Sequence, residues 1–97
     1  MANDVFISYS QHDKTVADAV CQRVEAAGVR CWIAPRDIAH GKTWDDAVVD
    51  GISAAKLLVV IFSAAANASR NVLDEVATAL DAGVTVKVVL DLSVVEL

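Results

Sequence analysis

The chain has 97 residues, 56% of them apolar and 5% aromatic, which describes one small folded domain and excludes a disordered chain. Eight basic against thirteen acidic residues leave a formal charge of −5, which disfavours sequence-independent binding to a phosphate backbone, so no nucleic-acid partner is expected. The opening MANDVFISYS lacks the basic-then-apolar profile of a signal peptide, and the most apolar run, LLVVIF, is far too short to span a bilayer.

In chain order, residues 4–8 (DVFIS) form a short β-rich run, and SQHD follows as a turn. Residues 13–27 carry Val16, Val20 and Val24 at helical spacing, with Ala17 and Cys21 beside them, and Gly28 ends that helix. Residues 30–33 (RCWI) make a second strand. Pro35 and Gly41 bound the loop that follows, and Thr43 can cap the next helix, with Asp46 three residues on. Trp44, Val48, Ile52 and Ala55 are expected to form that helix's buried stripe.

LLVVIF, residues 57–62, is apolar at every position, which implies a strand buried on both faces. Residues 63–68 read as a small-residue loop. A third long helix starts at Ser69 or Asn71, turns Val72, Val76, Ala79 and Leu80 inward, and ends at Gly83. Residues 84–90 form a fourth strand. The alternation predicts an α/β fold: a flavodoxin-like parallel sheet of order 2-1-3-4 flanked by helices. Such sheets bind ligands beyond the carboxyl ends of the strands, at the switch point, where loops 9–12, 34–42 and 63–68 meet. The tail LDLSVVEL is still apolar where it stops, so residues 1–97 are expected to be one domain lacking a last strand and helix.

Several familiar chemistries fail on spacing. Gly41-Lys42-Thr43 resembles the end of a phosphate-binding loop, but Arg36 stands where the first glycine is required. A phospho-receiver needs an aspartate after the third strand, where this chain reads FSAAAN. No Gly-x-Gly occurs, which removes a dinucleotide fingerprint. His12 and His40 lie in separate loops and suggest no metal site; both read as solvated. Cys21 and Cys31 read as reduced core thiols of a cytoplasmic protein, with a disulfide as the lesser alternative. With Val72, Val76, Ala79 and Leu80 at the centre of its helix's inner face, Glu75 falls about 100° from that centre, on the border of core and solvent. From spacing alone it is either an ordinary solvated carboxylate or a residue facing the switch-point crevice.

DVFISYSQHD, RCWIAPRDIAHGKTW, LLVVIFS and SRNVLDEV together resemble the bacterial branch of the Toll/interleukin-1 receptor (TIR) domains, with CWIAPRDI followed by G-x-x-W the most specific part. The resemblance implies a NAD+ nucleosidase that cleaves the nicotinamide–ribose bond, giving ADP-ribose or cyclic products, in signalling or antiviral defence. NAD is then a substrate, and no cofactor is expected. Glu75 matches the family's essential glutamate, and Ser8, Tyr9, Ser10, Arg36 and Asp37 are expected to contact the substrate, Asp37 as a loop carboxylate. The resemblance also implies self-association with other TIR domains through the 34–42 loop, here Ala34, Pro35, Arg36, Asp37 and Ile38. A non-catalytic TIR–TIR scaffold is the alternative function. Ile38 tucked into the core is the alternative to an apolar contact at the loop tip.

Overall fold

The computed structural model describes residues 4–90. Four parallel strands, β1 (Val5–Ser8), β2 (Cys31–Trp32), β3 (Leu57–Phe62) and β4 (Thr85–Leu90), lie in the order β2-β1-β3-β4. The helices are α1 (Lys14–Ala26), α2 (Trp44–Ala54), the short α3 (Ala64–Ala68) and α4 (Arg70–Asp81), and a 3-10 turn, Gln11–Asp13, leads into α1. The sequence-based order 2-1-3-4 is therefore the observed one. The tail, residues 91–97, lies outside the described residues.

Alternation along the strands divides the core between the two sheet faces. Val5, Ile7, Val59 and Ile61 pack with Ala17, Cys21, Cys31 and Ile33 on the α1 side. Phe6, Leu58 and Val60 pack with Val48, Ile52, Val72 and Ala79 beneath α2 and α4. Burial of both faces accounts for the apolar run from Leu58 to Ile61, whereas Leu57 is half-buried and Phe62, at the carboxyl end of the strand, is exposed against expectation. Trp32 lies flat on Phe6, ring centroids 4.7 Å apart and planes 8° from parallel. Gly51 of α2 sits over this pair: a Cβ there would come within 3.1 Å of both rings. The missing side chain lets the helix approach the sheet.

Serine and threonine begin the helices as their chemistry dictates. Thr43 accepts the Asp46 N–H at the start of α2, Ser63 that of Ala66 at α3, and Ser69 that of Val72 at α4. Gly28 and Gly83 follow α1 and α4 with φ of +86° and +75°, the left-handed geometry that ends a helix. Cys21 and Cys31 are free and buried.

Three expectations need correction. Residues 63–68 are not a loop; Ser63 caps the turn and four alanines favour helix, but only Ala66 is buried, so there was no apolar period to read. Trp44 is 49% exposed, because it occupies the first helical position, where side chains point back over the preceding loop instead of the core. Leu80 is 63% exposed: Val72 and Ala79 define the inner face, and Leu80 lies about 90° from its centre. Removing Leu80 from the inner stripe brings that face towards Glu75, which then lies only about 50° from its centre.

Candidate functional site

The carboxyl ends of β1 and β3 open onto a crevice of about 870 Å³ at the switch point. Tyr9, Ser10, Pro35, Trp44, Asn71 and Glu75 are among the residues that line it. Each of the three loops expected at this point contributes, the third through α3 and the start of α4.

Glu75 is the carboxylate among the residues that line the crevice. Ser8, fully buried at the end of β1, donates its hydroxyl hydrogen to Glu75 Oε1 at 2.7 Å. These residues are 67 apart in sequence, so the pair exists only when α4 closes over β1. Burial pushes the Glu75 carboxyl up to about 7; the Ser8 bond opposes the rise and neighbouring Asp74 adds to it. A carboxyl balanced near neutrality can exchange a proton there, and its ionised form can stabilise a developing positive charge in a poorly solvated space.

The rest of the frame holds the crevice walls. The Tyr9 hydroxyl donates to the Ala34 carbonyl, joining the loop after β1 to the loop after β2. Burial raises its pKa, which keeps that proton in place. Ser10 accepts the His12 N–H and starts the 3-10 turn. Asp13, buried at the end of that turn, accepts a hydrogen bond from Ser63, which also caps α3. That contact ties the first wall to the third, and spacing gave no sign of it because the partners are 50 residues apart. His12 and Lys14 also line the crevice, and both are exposed.

The structure thus gathers Ser8, Tyr9, Ser10, Ala34, Pro35 and Glu75 in one place and sets Arg36 and Asp37 elsewhere. Arg36 turns towards α1, where its Nη1 and Nη2 meet the Glu25 carboxylate at 2.9 and 3.0 Å and Nη2 also donates to the Cys31 carbonyl at 3.0 Å. Glu25 and then Asp37 push the guanidinium pKa above its usual value. Asp37 accepts the Ile33 N–H at 2.9 Å and pairs with Arg36 at 2.8 Å. Both side chains brace the loop; Arg36, with Pro35 and Cys21, lines a second cleft of about 500 Å³ against α1. Ile38 packs, partly buried, against the core beneath α2, so the loop tip is not a free apolar contact. Lys42 pairs with Asp50 on α2, which accounts for the lysine of the apparent phosphate loop. Among the described residues, no three His, Cys, Asp or Glu side chains are gathered to hold a metal ion, and no helix is long and apolar enough to cross a membrane.

The TIR domain of the Toll-related receptor TRR-2 from Hydra magnipapillata superposes with a TM-score of 0.81 at 19% identity, over 90% of this chain and 69% of that one. The TIR domains of the activated Roq1 resistosome, which recognises the effector XopQ, superpose at 0.80 with 21% identity, over 92% of this chain and 57% of theirs. A TIR-STING receptor from C. gigas is 30% identical with a TM-score of 0.76, over 91% of this chain and 30% of that one. Among curated proteins none matches. The first two likenesses concern the fold alone. The family model described as TIR domain spans residues 5–95, nearly all of the sequence, and on that match the chain belongs to the TIR domain family.

Proposed function

We propose that this domain is a NAD+ nucleosidase in which Glu75 acts on the ribose beside the scissile bond. The observation that carries the reading is a carboxylate partly buried in the switch-point crevice, bonded to Ser8 at 2.7 Å and held near neutrality by its surroundings. In the reaction, the bond between ribose C1′ and the nicotinamide nitrogen breaks, and its electron pair leaves with nicotinamide, which departs neutral. The ribosyl centre becomes oxocarbenium-like, and ionised Glu75 stabilises it electrostatically and can hydrogen-bond its hydroxyls. Attack by water, with loss of its proton, gives ADP-ribose; attack by a nucleophile within the same molecule gives a cyclic product. Ser8 holds the carboxylate in place, and the Tyr9–Ala34 and Asp13–Ser63 bonds hold the walls.

Self-association of a cytoplasmic signalling or defence module is part of the proposal, with the 34–42 loop as a contact surface. The exposed Pro35 beside an Arg36 clamped by Glu25 and Asp37 presents a pre-shaped surface, which supports both an activating contact and the second reading, a non-catalytic TIR–TIR scaffold. Nicotinamide release separates the two. Protein clustered on a multivalent scaffold should release nicotinamide from NAD, and Glu75→Ala should abolish the release. Equal release by both proteins refutes the assignment of Glu75, and no release by clustered protein leaves the scaffold reading. Pro35→His should weaken assembly measured by light scattering; unchanged assembly would count against the loop.

A further inference from the structure

Trp44 is an unexplained large aromatic. It is the first residue of α2, fixed by the Thr43 cap, and 49% exposed on the rim of the crevice. The other aromatic side chains of the crevice are already engaged. Phe6 and Trp32 are buried and stacked on one another, and Tyr9 is tied to Ala34 through its hydroxyl. Among the described residues, the indole of Trp44 stacks on no other ring. Leaving half of a tryptophan in water forgoes much of the largest apolar burial a side chain can supply. A flat π-face at the mouth of a concave site is also what binds a nucleobase, because every base offers a face to stack on.

We propose that Trp44 is the base-stacking platform of this crevice and receives the adenine ring of the dinucleotide. The assignment rests on reading the crevice as a NAD site, and it selects which base goes where. Glu75 lies at the floor with fully buried Ser8, so the ribose that loses nicotinamide must reach inward. The remaining base of an extended dinucleotide then lies at the rim, where Trp44 stands. A cleft of about 870 Å³ is within the usual size of ligand pockets. Lys14, which lines the same crevice and is itself paired with Asp18 at 2.9 Å, supplies a cation for an anionic ligand. Trp44 is a positioning and selectivity residue here, and bond cleavage stays with Glu75.

The test compares NAD with nicotinamide mononucleotide, which carries the scissile bond but no adenine, in scaffold-clustered protein. Trp44→Ala should lower kcat/KM for NAD roughly tenfold or more and leave the mononucleotide unchanged, and Trp44→Phe should recover most of the loss. Equal change for both substrates, or none for either, overturns the proposal. A second readout needs no turnover. Trp32 is buried and Trp44 exposed, so acrylamide quenching of fluorescence reports chiefly on Trp44. In Glu75→Gln protein, ADP-ribose should protect that fluorescence and ribose 5-phosphate should not. Protection by ADP-ribose in a domain that cleaves no NAD would refute the nucleosidase and keep the platform. Cleavage of NAD without such protection would refute the platform and keep the nucleosidase. Absence of both would overturn the two together.

Discussion

Replacing Glu75 with Gln should favour the folded domain increasingly, relative to wild type, as pH rises from about 4.5 to above 7. In the unfolded chain the carboxyl titrates near 4.5, and in the folded crevice burial raises it to about 7. Below the lower value both states hold the proton and burial of the carboxyl carries no ionisation penalty. Between the two, the unfolded state releases its proton while the folded state retains it, so stability falls as pH rises. Above the folded value the penalty is complete, on the order of 3 kcal/mol for a rise from 4.5 to about 7. A glutamine never ionises, and its carbonyl can still accept the Ser8 hydrogen. Burying the amide has its own cost, but that cost does not vary with pH. The quantity to measure is therefore the stability difference between Glu75→Gln and wild type at about pH 8.5 minus the same difference at about pH 4, from urea unfolding followed by far-ultraviolet circular dichroism. It should be roughly 2–3 kcal/mol in favour of Gln, equivalent to a midpoint shift of about 1–3 M urea. An identical difference at both pH values would mean that Glu75 is solvated like any surface carboxylate, and the electrostatic case for the site would fall with it.

The remaining predictions concern the frame. Asp13→Ala should cost about 1–3 kcal/mol in urea unfolding, since it removes the buried acceptor for Ser63, and Asp13→Asn should recover most of that; an Ala variant as stable as wild type would show the contact to be incidental. Gly51→Ala should destabilise by about 1 kcal/mol in the same assay despite alanine's better helix propensity, because its Cβ would press on two stacked rings that hold each other in place; a stabilised variant would mean that α2 can lift freely. Cys31, whose thiol burial raises to about 12, should resist alkylation by iodoacetamide in folded protein and react on unfolding; rapid native labelling, read by mass spectrometry, would contradict its burial.

Legibility from sequence followed the range of the interactions involved. LLVVIF pointed to a strand buried on both faces, which holds for Leu58 to Ile61 but not for exposed Phe62, and the alternation of elements pointed to a parallel sheet, whose observed order is the expected flavodoxin-like one. Glu75 stood out at the helix border, although its distance from the inner centre was overstated by placing Leu80 inward. The short helix α3 was hidden because alanines carry no apolar period. Trp44 was assigned to the core because its spacing fits the stripe, while its position at the helix start turns it to the crevice. The direction of Arg36 depended on Glu25, eleven residues away on a different element, and loop composition held no information about that pairing. Ser8 beside Glu75 and Asp13 beside Ser63 are likewise products of tertiary closure, beyond any local pattern.

The most direct test of the central claim is the pH–rate profile of nicotinamide release from NAD by scaffold-clustered protein. If ionised Glu75 does the work, the rate should rise through about pH 7 and then level, matching the value to which the crevice lifts this carboxyl, and Glu75→Gln should stay at background throughout. A profile flat across this range, or a Glu75→Gln variant that releases nicotinamide at the wild-type rate, would contradict the account.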